Sequence, residues 1–232
     1  MPSKRSEGVR QGDRGTKSVW LRPIRATREE PPPLTRARIV DEAVALLDEL
    51  GIEGLTMRRL AERLGSGVTT LYWHVDNKED VVDLALDSIF AALTAFSDAN
   101  SGKWRDEIVA LLVDWRASML RHPWSAALLQ RPALGPNLLD RLEFLHAALV
   151  RGGLSGPRLT ASTWTLYNYV MGATVARASL DLSEADRDAA QQRLREMSDR
   201  YPTLSAANHL LEDDWDGTFI QGLHFVLDGI DA

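Results

Sequence analysis

Val68, Thr69, Thr70, Tyr72, Trp73 and His74 place methyl, hydroxyl, aromatic and imidazole groups along one short segment. Groups of this kind read base edges and touch phosphates; they need neither a nucleophile nor a metal. Signals for other chemistry are weak. The five histidines (74, 122, 146, 209 and 224) lack metal-ligand spacing, and Glu212-Asp213-Asp214 reads as a solvated loop. GxSxG, HExxH, Walker and dinucleotide fingerprints are absent from the sequence. Recognition is therefore expected, with no catalytic residue, cofactor or metal.

The elements that would position these groups lie in the 24 residues from Thr56 to Glu79, TMRRLAERLGSGVTTLYWHVDNKE. Thr56 suits a helix N-cap, and Leu60, Ala61 and Leu64 fall on one apolar stripe. Gly65 stands where that helix should stop, and Gly67 allows a second change of direction. A helix from Val68 to about His74 follows, too short to stand alone. Leu71 and Val75 point inward, so the six recognition side chains point outward. For Tyr72 and His74 the alternative is helix packing, and Trp73 could instead lid the core. A preceding helix runs from about Thr35 to Leu50, with Ile39, Ala43, Leu46, Leu47 and Leu50 on its core face and Gly51 as its cap. Asn77 caps a long following helix to about Phe96.

With these elements in place, residues 34–80 resemble the DNA-binding domain of the tetracycline-repressor (TetR) family, most closely in GIEGLTMRRLAERLG and TLYWHVDNKED. The resemblance implies a helix-turn-helix in which Arg58 reaches a guanine edge and Val68 and Thr69 begin the base-facing side. The family's glutamine and proline are absent from those two positions, so the operator should differ. Thr56, Thr70, Tyr72, Trp73, His74 and Lys78 join the DNA face, with Thr70, Tyr72, His74 and Lys78 at phosphate-contacting positions. Arg59 and Arg63 read as a solvated face. The resemblance further implies a homodimer on a palindromic operator, paired through two C-terminal helices of each copy, and release by a small effector that shifts the 77–97 helix. The family's magnesium–drug site uses two histidines. Thr94 and Leu129 fall near those positions, so that chemistry does not carry over.

Composition limits the other classes. Of 232 residues, 44% are hydrophobic, enough for a large core, and no cysteine is present for disulfides or thiolate zinc sites. Neither a membrane-length apolar run nor a signal-peptide core is visible, which predicts a soluble cytoplasmic protein; the resemblance implies a bacterial one, nucleoid-associated when bound to DNA. The net charge of −6 hides an asymmetry: residues 1–28 carry eight basic and two acidic groups. This region, ending in Pro31-Pro32-Pro33, reads as a flexible basic arm. Its Arg10, Arg14, Lys17, Arg22 and Arg25 either engage DNA or are inert; engagement is the favoured reading.

The fold expected is all-α: an arm (1–33), a three-helix helix-turn-helix domain (34–79) and a larger helical effector and dimerisation domain (80–232). Helical segments are expected at 103–121, 124–130, 136–151, 157–180, 184–200 and 215–230, with 181–214 the most polar and irregular stretch. Trp115, Trp124, Phe144, His146, Trp164 and Asn168 suit a pocket for a small hydrophobic or aromatic effector, though singly each is more often core. Gly172, Phe219, Leu223, Val226 and Leu227 are candidates for the dimer face, with Gly222 permitting close approach; an internal core helix is the alternative. An activator, or a helical carrier or enzyme with a vestigial head, are the competing functions. Deleting residues 1–28 should weaken operator binding and flatten its salt dependence, by about 0.9 in log–log slope per lost phosphate contact. A gel-shift titration over salt checks this, and an unchanged slope leaves the arm without a DNA role.

Overall fold

Thr35 opens α1 (Arg36–Gly54) by accepting from the Arg38 N–H at 3.3 Å. Ile39, Ala43, Leu46 and Leu47 bury one face of it, but Leu50 turns half out to solvent, against expectation. The cause is adjacent: Gly51 takes φ +67°, so the regular helix bends beside Leu50 before its last turn. The computed structural model describes residues 33–91, 103–128, 135–179, 183–207 and 214–231, and the basic arm lies outside them. Among the described residues all regular structure is helical.

Thr56 caps α2 (Met57–Arg63) by accepting from the Arg59 N–H at 3.2 Å. Gly65, at φ +65°, ends it with the bond pair of a Schellman cap, Ser66 N–H to Ala61 O and Gly65 N–H to Glu62 O. Arg63 is not a free solvated group. Its guanidinium donates to Glu42 at 2.6 Å and in two bonds to Glu49, at 2.8 and 3.1 Å, fastening α2 to α1. Those bonds hold the Glu49 carboxyl below its ordinary pKa, against the opposing effect of desolvation. Arg59 likewise donates to Gly54 O at 2.9 Å, across the end of α1.

The second helix of the pair, α3 (Val68–Leu71), is one α turn, continued by tighter turns through His74. Asn77 caps α4 (Lys78–Ser88) by accepting from the Asp80 N–H at 2.8 Å, and Asp80 accepts from the Asp76 N–H at 3.0 Å. This helix stops at Ser88, short of the expected Phe96. Its chain turns at Ile89 and Phe90, and the Phe90 carbonyl accepts from the buried Arg141 guanidinium at 3.1 Å. The boundary expected at 79/80 falls in the first turn of α4, and Leu34–Ala232 make up one compact unit.

The body comprises α5 (Trp104–Arg121), a 3-10 segment (Pro123–Leu128), α6 (Pro136–Arg151), α7 (Gly156–Ser179), α8 (Glu184–Glu196), α9 (Pro202–Ala207) and α10 (Trp215–Asp231). The stretch expected to be irregular thus contains α8, capped by Ser183, and α9 packed on it. Helices α5, α6 and α7 pack mutually, and α10 lies on α5 and α7. Three polar contacts join the DNA-binding elements to this body. Asp87 of α4 caps α6, accepting from Leu138 N–H (3.1 Å), Asn137 N–H (3.3 Å) and the Asn137 side chain (2.8 Å). Arg141 holds Phe90 O, and Asp48 of α1 accepts from Trp124 Nε1–H at 2.7 Å and pairs with His122 Nδ1 at 2.8 Å. Replacing Gly65 by Ala should cost about 1 kcal/mol of stability, because a Cβ crowds the left-handed backbone, and Asn should cost less. Denaturant unfolding of the two variants beside the parent measures it.

Candidate functional site

Leu71 and Val75 are buried, and their burial turns the rest of the short segment outward. Thr69, Thr70, Tyr72, Trp73 and His74 are exposed and Val68 is half-buried, with Trp73 reaching 84% exposure. The sequence-derived recognition residues therefore do come together on one open face. Thr56 has already committed an oxygen lone pair to the Arg59 N–H, but its hydroxyl proton is free to donate. Arg58 is exposed at the surface and pairs with Glu62, one turn on, at 2.9 Å. Such an exposed pair is weak and exchanges readily for a stronger acceptor. Lys78, placed by the resemblance at a phosphate-contacting position, has its ammonium already engaged. It is half-buried, and its ammonium donates to Ile52 O at 2.9 Å across the end of α1.

The body divides the six expected effector residues. His146 and Trp164 line one groove of about 510 Å³ between α6 and α7, along with Asp140, Glu143, Thr160 and Thr163. His146 Nδ1 lies 3.2 Å from Thr163 Oγ1, whose own proton goes to Leu159 O at 2.9 Å, so Nδ1 is the donor of that pair. Trp115 is wholly buried, and Tyr167 links it to Trp164 through two edge-to-face contacts of 5.9 and 5.5 Å. Burial also raises the Tyr167 phenol above its ordinary pKa. Trp124 lies apart from that groove: its indole donates to Asp48 of α1, and it lines a separate cavity of about 590 Å³ beside Leu47, Gly51 and Pro123. Phe144 packs against the core under the Arg151 guanidinium, and Asn168 faces solvent from α7. A second cavity of about 290 Å³ lies between the ends of α5 and α7 and the 3-10 segment, beside Met119, Pro123, Ala126 and Thr174.

The dimer candidates need the largest correction. Phe219, Leu223 and Leu227 are buried within the protomer's own core, and Val226 is half-buried against it. Phe219 stacks on Tyr169 at 5.2 Å, and the Tyr169 hydroxyl donates to Phe219 O at 2.8 Å. A Cβ on Gly222 would lie 2.3 Å from that hydroxyl oxygen, so its close approach serves α7 of the same chain. What α10 offers outward is Ile220 and Phe225, the latter 67% exposed. On α7, Gly172 is exposed with nothing near the position of a Cβ, and Val175 is also exposed. Phe225 was legible as an aromatic off the core stripe.

Residues 39–85 match the family described as bacterial regulatory proteins, tetR family, and residues 96–232 match the tetracyclin repressor-like C-terminal domain. The chain belongs to the TetR family. It is 37% identical over 235 residues to an HTH-type transcriptional regulator of Saccharopolyspora erythraea, covering 100% of this chain and 98% of the relative. It is 35% identical to the HTH-type transcriptional repressor DrrR1 of Streptomyces coeruleorubidus, covering 92% of this chain and 83% of the relative. Among solved structures, the Streptomyces coelicolor TetR family protein ActR in complex with actinorhodin superposes with a TM-score of 0.76 at 27% identity, over 85% of this chain and 97% of that one. This TetR-family protein is therefore a transcriptional regulator. Trp73→Ala should change stability by less than about 0.5 kcal/mol, since the indole touches little of the fold, yet weaken DNA binding. Thermal unfolding and a gel shift on the same preparation separate the two effects.

Proposed function

We propose that this TetR-family regulator is a repressor. Two copies hold a palindromic operator, and a small hydrophobic or aromatic effector bound in the body releases it. One observation carries the DNA reading: an indole 84% exposed at Trp73, beside Tyr72, Thr69 and Thr70, on a face whose reverse side is core. Large aromatic surface left in water on a rigid turn suits a partner that covers it. A duplex groove does so, with Arg58 exchanging Glu62 for a guanine edge and the hydroxyls of Thr56, Thr70 and Tyr72 turned to phosphates. His74 lies on the same face, and Lys78 keeps its Ile52 bond or exchanges it for phosphate.

Pairing of copies through the outward sides of α7 and α10, with Gly172, Val175, Ile220 and Phe225 in contact, covers apolar surface that the protomer leaves exposed. The groove holding His146 and Trp164 receives the effector, with Trp115 behind it. DrrR1 is named a repressor and ActR was solved with actinorhodin, which supports both halves of the reading. Such a protein works in the cytoplasm, at the nucleoid when bound. Among the described residues, no helix is long and apolar enough to cross a membrane.

Gel shifts on palindromic DNA should give sequence-specific, salt-sensitive binding. Arg58→Ala should cost about 1–3 kcal/mol and relax discrimination at one base position. Tyr72→Phe should weaken all sequences alike. Addition of effector should abolish the shifted band while size-exclusion chromatography still finds a dimer; release by monomerisation would overturn the mechanism.

A further inference from the structure

The cavity of about 590 Å³ beside Trp124 lies across the seam between α1 and the body. Asp48, Leu50, Ile52 and Glu53 of α1 form one side of it, and Pro123 and Ala127 of the 3-10 segment form the other. It shares no lining residue with the α6–α7 groove that holds His146 and Trp164. Its volume suits one small molecule.

The bend at Gly51 opens this space. At φ +67° Gly51 breaks the run of α1, and Leu50 beside it is left 48% exposed, lining the cavity instead of the core. Ile52, Pro123 and Ala127 complete a wall that is largely aliphatic. Apolar surface left in water on both sides of a seam is stabilised when one occupant covers it. The charge lining the cavity has a single sign. Asp48 is held by Trp124 Nε1–H and by His122, whereas the Glu53 carboxylate pairs with no group among the described residues. Neighbouring cations are engaged elsewhere, and none lines the cavity: Lys78 donates to Ile52 O, Arg59 to Gly54 O, and Arg63 to Glu42 and Glu49. An aliphatic wall with an unanswered carboxylate at its edge complements an ammonium group on an aliphatic skeleton.

We propose that this cavity is a ligand site in its own right, separate from the effector groove, and that it takes a compact aliphatic amine. The ammonium pairs with Glu53, and the skeleton covers Leu50, Ile52 and Ala127. Such an occupant touches α1 and the 3-10 segment at once. It therefore adds to the bonds that Asp48 makes across the same seam and ties the DNA-binding elements to the body. The site does not depend on effector release from the α6–α7 groove.

The test titrates the full-length protein with three probes on one skeleton: 1-adamantylmethylamine, the neutral 1-adamantylmethanol and the anionic 1-adamantanecarboxylate. Calorimetry at low salt should rank them in that order, with the amine at least about tenfold tighter than the carboxylate. Glu53→Gln is a change at an exposed position; it should bring the amine to within about twofold of the alcohol and leave the alcohol unchanged. Ala127→Phe fills the cavity from an exposed position and should remove binding of all three, whereas Trp164→Ala, in the α6–α7 groove, should remove none. With the amine bound, hydrogen exchange should slow in residues 45–54 and 122–128 together. No amine binding, a carboxylate as tight as the amine, Glu53→Gln without effect, loss of binding in Trp164→Ala, or protection on one side of the seam only would each overturn the proposal.

Discussion

A recognition helix of one turn cannot hold its own shape, so everything this protein does at DNA depends on the burial of Leu71 and Val75. Four residues form too few backbone bonds to offset the cost of nucleating a helix. The segment is ordered because those two side chains are seated in the core shared with α1, α2 and α4. That constraint explains the investment nearby: the Schellman cap at Gly65, the Asn77 cap, and the Arg63 bonds to Glu42 and Glu49 all fix the frame around a part that contributes little to stability itself. It also leaves Thr69, Thr70, Tyr72, Trp73 and His74 exposed, while Val68 packs partly against the core.

The joint between head and body follows a different logic. Apolar contact there is supplemented by directional groups: Asp87 on the start of α6, Arg141 on the last carbonyl of the α4 turn, and Asp48 on Trp124 and His122. A polar contact in a partly dry setting has a sharp distance dependence and few substitutes, so it favours discrete arrangements over gradual sliding. Asp48 is notable because it lies on α1, while its partners lie at the 3-10 segment that borders the smaller body cavity. The seating of the DNA-binding elements on the body thus rests on a small number of directional bonds.

Within the body, charge has been carried inside. Arg116 reaches Asp216 of α10 over the face of Phe219, and Glu107 pairs with Arg151. Buried ions of this kind fix which helix faces which, because a misplaced neighbour would leave a charge uncompensated. They also account for the inward turn of the Phe219, Leu223 and Leu227 stripe: α10 is fastened through Arg116 and through Tyr169 to its own chain, and Ile220 and Phe225 stay exposed on its other side.

Local chemistry was enough to read the helices of the DNA-binding part from the sequence, because caps, glycine stops and apolar spacing act over three or four residues. Thr35, Thr56, Gly65 and Asn77 each act where the sequence placed them. The outward set on α3 was legible for the same reason, since burying Leu71 and Val75 leaves its other side chains only one direction. What the sequence alone left open was every choice between partners far apart along the chain. A tryptophan at 124 looks the same whether it lines the α6–α7 groove or bonds Asp48 of α1, and an apolar stripe on α10 looks the same whether it faces its own core or a second copy. Arg141 gave no signal at all, because a charged residue is ordinarily taken for surface until folding puts Phe90 and Asp114 around it. Those choices were made by tertiary packing, where shape and charge complementarity between segments distant in the sequence decide which face is buried.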